Sequence, residues 1–182
     1  MMRNTSSSWG WVSRIIHWLM AGLIAGQVVL GKYAEDLDRS AQKLNLMMWH
    51  KSLGIVLLLL VVVRLAWLLA NPRPAVAAPA FAWQKWAARV SHASLYALMF
   101  AVPLSGWLMN SAKNVPFSLF RTIPWPNLIG PDKGLGELFQ RCHELLGDAL
   151  IAILLIHVIA AFWHHFHRGD EVLRNMLGAP KT

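Results

Sequence analysis

The sequence predicts an all-α membrane protein: a bundle of four transmembrane helices forming one domain over residues 1–182. Two observations carry that prediction. Of the 182 residues, 56% are hydrophobic and only 14% are charged, against about 25% charged in an average soluble domain. Four apolar runs, at about 11–30, 46–70, 90–109 and 138–167, each supply the roughly 20 helical residues that cross a hydrocarbon core. A soluble chain this short has too little polar mass to cover four helices that are apolar all round.

The elements follow in order. Span one begins among Trp9, Trp11 and Trp18, aromatic residues that favour the lipid–water interface. Residues 1–10 are Ser-rich, and no A-x-A site follows the first run. It therefore reads as a retained span and not as a cleaved signal. Residues 31–45 are a polar connection. Span two carries His50 in its first turns and Arg64 towards its end, and Asn71-Pro72-Arg73-Pro74 stops it, because proline cannot continue a helix and restricts the residue before it. Residues up to 81 are rich in Pro and Ala and read as extended. Residues 83–89 read as an interfacial turn leading into span three, which holds His92, Tyr96 and Pro103, a residue type that kinks a helix from within. The connection 110–136 contains four prolines, so it reads as irregular, with 117–125 lying along the interface. Span four carries His143 and His157 and ends in His164-His165-Phe166-His167.

Charge excludes some functions. The net charge of +8 comes from basic residues scattered over loops beside apolar spans, which suits anionic lipid head groups better than nucleic acid. With both termini on one side, that side carries nine Lys and Arg and the other eight. That margin points to cytoplasmic termini. The single cysteine, Cys142, forms no C-x-x-C-H motif with His143, so any haem is held noncovalently.

Ionisable side chains inside a bilayer are expensive and usually functional. His17, His50, His92, His143 and His157 all fall within spans. One such residue is ordinarily a hydrogen-bonded core histidine. Five in four helices, with few carboxylates nearby, indicate ligation. His143 and His157 are fourteen residues apart, two heptads, so they return to one face of a packed helix about 21 Å apart along its axis. Alternate spans run in opposite directions. His50 and His143 therefore share one level, and His157 shares the other with either His17 or His92. The residue at i+4 lies on the ligand's face; it is Ala21, Gly54, Gly147 and Ala161 after His17, His50, His143 and His157, but the bulky Tyr96 after His92. A flat ring needs that room, which selects His17 over His92. Pairs at two levels suit axial ligation of two haem b groups better than a bare metal ion, which wants more ligands converging. His164 and His92 would border a quinone pocket beside the second level. Arg39, Lys43, Lys51 and Arg141 would form a basic mouth that attracts a small anion near the first.

Taken together the chain resembles the bacterial cytochrome b561 family. The resemblance rests on Arg14-Ile15-Ile16-His17-Trp18, on His50-Lys51-Ser52-Leu53-Gly54 with Val62-Val63-Arg64, on His92-Ala93-Ser94-Leu95-Tyr96 with Pro103-Leu104-Ser105-Gly106, and on His143-Glu144-Leu145-Leu146-Gly147 running on to His157 and His164-His165. It implies a four-helix dihaem protein of the bacterial inner membrane that exchanges electrons with ubiquinone. For compact members it also implies a superoxide:ubiquinone oxidoreductase, with superoxide oxidised at the periplasmic face and quinone reduced near the cytoplasmic side. It implies His50 and His143 on the outer haem, His17 and His157 on the inner, and His92 and His164 near quinone. Related cytochromes serve as electron-transfer subunits of a hydrogenase or dehydrogenase, so a partner redox subunit is the alternative. A histidine-lined metal transporter is a remote third reading.

Overall fold

The computed structural model describes residues 1–74, 81–170 and 172–178. Its helices are α1 (Trp11–Asp36), α2 (Ala41–Leu69), α3 (Ala82–Ala112), α4 (Lys133–Phe166) and α5 (Val172–Leu177), with β1 (Ser118–Leu119) and β2 (Ile123–Pro124) between α3 and α4. The first four are each long and apolar enough to cross a membrane. In a bilayer every backbone polar group must be satisfied within the segment, which helices do. The chain is thus a multi-pass α-helical membrane protein.

The helix ends have local causes. Ser40 caps α2, its hydroxyl accepting from the Lys43 amide at 3.2 Å, and Asp132 caps α4 by accepting from the Leu135 amide at 2.9 Å. Both satisfy amides that an α-helix leaves open at its start. Between α1 and α2, the Lys43 ammonium donates to the carbonyls of Glu35 (3.1 Å) and Leu37 (2.7 Å), closing the carbonyl end of α1. α2 ends just before Asn71-Pro72, where the Asn71 side-chain amide donates to the Trp67 carbonyl at 2.9 Å.

α1 packs on α2, α2 on α3, and α3 on α4. The core is a thin apolar layer of Met20, Ile24, Leu57, Val61, Leu95 and Leu150. Leu150 lies one heptad from both His143 and His157, so this layer falls between the two histidine levels.

The helices outrun the apolar runs. α1 continues through Lys32-Tyr33-Ala34-Glu35-Asp36, α2 begins at Ala41, α3 is continuous from Ala82, and α4 begins at Lys133. The expected connection 31–45 therefore shrinks to residues 37–40, and the expected turn at 83–89 is the first part of α3. Hydropathy marks only the part of a helix inside lipid; polar turns beyond the bilayer keep the same backbone hydrogen bonds. The connection 110–136 shortens to residues 113–132, and where 117–125 was expected to lie along the interface, β1 and β2 pair antiparallel, Ser118 opposite Pro124. Pro103 lies inside α3. α5 was not expected. The Pro/Ala-rich stretch read as extended falls at 75–80, outside the described residues.

Candidate functional site

The bundle brings the intramembrane histidines together at two levels. At the first, His50 of α2 faces His143 of α4 with ring centres 6.2 Å apart and planes at 88°. At the second, His17 of α1 faces His157 of α4 at 6.5 Å and 68°. His92 of α3 also touches His157, at 5.2 Å. Metal–imidazole bonds of about 2 Å, extended to the ring centres, put two imidazoles on opposite sides of one iron about 6 to 6.5 Å apart. The first two separations fit that arrangement. The His92 separation is too short for it.

Ring orientation at the first level is set by the opposing helices. His143 Nδ1 donates to the Val102 carbonyl at 2.9 Å, with the Ser105 hydroxyl 3.2 Å away. A carbonyl only accepts, so this bond puts the proton on Nδ1 and leaves the Nε2 lone pair for a metal. The ring can reach that carbonyl because Gly106, four residues on, has no side chain; a Cβ there would lie 3.0 Å from His143 Cε1. α1 also turns a glycine towards the His50 ring. A Cβ on Gly31 would lie 2.9 Å from His50 Cε1. Gln27, four residues earlier, donates its side-chain amide to the His50 carbonyl at 2.8 Å. The Nδ1 of His50 and the Oε1 of Gln27 are buried without a partner among the described residues.

The second level is held differently. Arg64 Nη2 lies 2.9 Å from His17 Nδ1, and Arg64 Nε donates to the Tyr96 hydroxyl at 3.0 Å. A guanidinium only donates, so His17 Nδ1 accepts there. His92 is exposed, and its Nδ1 donates to the Ala88 carbonyl at 2.7 Å. His164 Nδ1 pairs with Asp170 Oδ2 at 2.5 Å, both side chains largely covered. His167 stacks on Trp163. The His165 Nδ1 is buried with no partner among the described residues.

The four basic residues read as an anion mouth do not form one cluster. Arg39 and Lys43 line a shared cavity with Ser40, Leu44 and Met47, but the Lys43 ammonium is engaged on α1 carbonyls. Lys51 Nζ donates to Asn110 Oδ1 at 2.7 Å and lies over the Phe117 ring. Arg141 is exposed on α4.

Sequence reasoning missed Gly31, Gln27 and Asp170, and gave Gly106 and Arg64, both quoted for the family resemblance, no role of their own. It also missed the hairpin beside His50. There the Phe120 amide donates to the Ser52 hydroxyl at 3.0 Å, and Phe120 packs against Trp49. Arg121 Nη2 donates to Asn45 Oδ1 at 2.6 Å. Phe120 and Arg121 have φ of 49° and 64°, a left-handed conformation uncommon for such residues.

The chain is similar to known proteins over most of its length. The family model for prokaryotic cytochrome b561 matches residues 8–179. Cytochrome b561 homolog 2 of Escherichia coli (strain K12) is 30% identical over 181 residues, covering 96% of this chain and 94% of that protein. Cytochrome b561 homolog 1 of the same organism is 28% identical over 70% of this chain and 72% of its own length. A protein of Yersinia pestis named probable superoxide oxidase CybB is 27% identical over 89% of this chain and 91% of its own length. With four membrane-capable helices, and with b-type haem and electron transfer implied by the family whose model spans nearly all of it, the chain belongs to the prokaryotic cytochrome b561 family.

Proposed function

We propose that the chain is a superoxide:ubiquinone oxidoreductase of the bacterial inner membrane with two haem b groups, one between His50 and His143 and one between His17 and His157. The observation that carries the reading is the pair of ring separations, 6.2 and 6.5 Å, at two levels of one heptad-spaced helix. Held by these histidines, haem b would supply a one-electron redox centre. Two superoxide anions lose one electron each and leave as dioxygen; one ubiquinone takes both electrons and two protons to become ubiquinol.

The residues divide the work. Val102 and Gly106 hold His143 with its Nε2 free. Met20, Ile24, Leu57, Val61, Leu95 and Leu150 keep the layer between the levels apolar, so that charge crosses as an electron without water or ions following. Arg39, Lys43, Lys51 and Arg141 raise the local concentration of a small anion at the first level, which faces the periplasm. This acts on the encounter rate and weakens with salt. His92 and His164 border the quinone at the second level. The His164–Asp170 pair holds a proton at the edge of the bundle, where a reduced quinone needs one. Both termini are cytoplasmic.

The test is superoxide-driven quinone reduction by the purified chain, with a reduced-minus-oxidised spectrum and an iron count. Two low-spin b-type haems per chain, with superoxide-dependent ubiquinol formation, are expected. Two haems with no reaction until a separate dehydrogenase is added would replace this reading with that of an electron-transfer subunit. The absence of haem would sink both.

A further inference from the structure

We propose that Arg64 is a carboxylate-binding residue of the second level, where it takes a propionate of the haem between His17 and His157 and in doing so releases His17 for ligation. The inference rests on that pairing of histidines and adds to it a site for the anionic edge of the cofactor.

The first support is a missing counter-charge. Arg64 lies within α2, five residues before its last residue, Leu69. A guanidinium there is costly unless it is paired. It has five N–H donors, and the partners seen are the Tyr96 hydroxyl at 3.0 Å and His17 Nδ1 at 2.9 Å. Both are uncharged. Among the described residues, no ion pair involves Arg64. The described residues supply none. Seven of the chain's nine acids, from Glu35 to Asp38 and from Asp132 to Asp148, lie around or beyond the first level, and Asp148, the one nearest the middle of α4, pairs with Lys32. Of the remaining two, Asp170 is committed to His164, and Glu171 lies outside the described residues. Haem b brings two carboxylates of its own.

The second support is independent and concerns the proton on His17. Because Arg64 only donates, the Nδ1 of His17 accepts, and a neutral imidazole so bonded keeps its proton on Nε2. That tautomer has no Nε2 lone pair for iron. His143 is in the opposite state, with its proton held on Nδ1 by the Val102 carbonyl. If Arg64 turns from His17 onto a propionate, the guanidinium gains an anionic, bidentate partner. His17 at the same time regains a tautomer that can ligate through Nε2. One movement removes both misfits.

The experiment compares the wild-type holoprotein with Arg64→Gln and Arg64→Lys. It reads haem content, the two midpoint potentials by redox titration, haem transfer to apomyoglobin, and the propionate bending bands in the resonance Raman spectrum. Removing a cation beside the second haem favours its oxidised form. In Arg64→Gln one midpoint should therefore fall while the other stays, transfer of one haem should quicken several-fold, and one set of propionate bands should shift. Arg64→Lys, which keeps the charge but not the fork, should restore part of the midpoint and little of the band position. Two haems in Arg64→Gln with midpoints, bands and transfer rates unchanged would overturn the inference, including the case in which Arg64 serves a lipid phosphate. A wild-type protein with a single haem would overturn the histidine pairing itself, and this inference with it.

Discussion

At the scale of single residues, two glycines carry more of the candidate site than any polar side chain other than the histidines. A Cβ on Gly31 or Gly106 would lie 2.9 or 3.0 Å from an imidazole carbon, so even alanine forces the ring away from its position. Gly31→Ala and Gly106→Ala should each lower haem content from two per chain towards one, with the spectrum of the second-level haem retained. Gly130→Ala, where an added Cβ meets nothing within 4 Å, should keep both. A second residue-scale prediction separates the two candidates opposite His157. His17→Ala should lose one haem and His92→Ala should keep two, measured on detergent-purified protein. The converse result would move the second pair to His92 and His157. The histidines were legible in the sequence because an imidazole in an apolar run is rare and expensive. The glycines were not. Gly31 is nineteen residues before His50, and Gly106 is thirty-seven before His143, so their role exists only once α1 meets α2 and α3 meets α4. Arg64 was visible as an intramembrane cation, yet its contact with His17 depends on how α1 and α2 pack.

At the scale of elements, the four helices were legible because lipid requires unbroken apolar length, and they were read too short for the same reason. The residues of α1 after Leu30 and of α4 before Leu138 are polar turns beyond the apolar run, invisible to hydropathy but stable beside a packed neighbour. The hairpin of β1 and β2 left no turn signature. Its left-handed positions are Phe120 and Arg121, where Gly, Asn or Asp would be usual. Tertiary anchors hold it there: Ser52, 1% exposed, accepts from the Phe120 amide, and Asn45 accepts from Arg121. Ser52→Ala removes the acceptor of the part-buried Phe120 amide, a loss of about 1 kcal/mol. Amide hydrogen exchange across 115–126 should quicken several-fold, while exchange in the centre of α4 stays unchanged. Equal exchange in the two proteins would show that the strand pair and the Trp49–Phe120 contact suffice without the serine.

At the scale of the whole molecule, basic residues alone are nearly balanced, and it is the acids that make the two ends unlike. Among the described residues, the end that holds the N-terminus carries eight Lys and Arg against one acid; the other carries eight against seven. The rule that orients membrane proteins counts Lys and Arg and gives little weight to acids, so this difference acts less on insertion than on the field inside the folded bundle. Fixed cations favour the reduced form of a nearby redox centre, and low-dielectric surroundings carry that influence further than water would. The second level lies towards the cationic end and has Arg64 beside it. The first level has Lys51, whose ammonium is turned to Asn110, and seven acids around and beyond it, two of which, Glu144 and Asp148, follow His143 on α4. An electron entering between His50 and His143 should therefore fall towards His17 and His157. Single-haem variants test this directly. The haem left in His50→Ala, at the second level, should titrate at a higher midpoint potential than the haem left in His17→Ala, at the first. The reverse order would mean that the field of the chain opposes transfer from the first level to the second, and that only continuous removal of electrons at the second level could drive it.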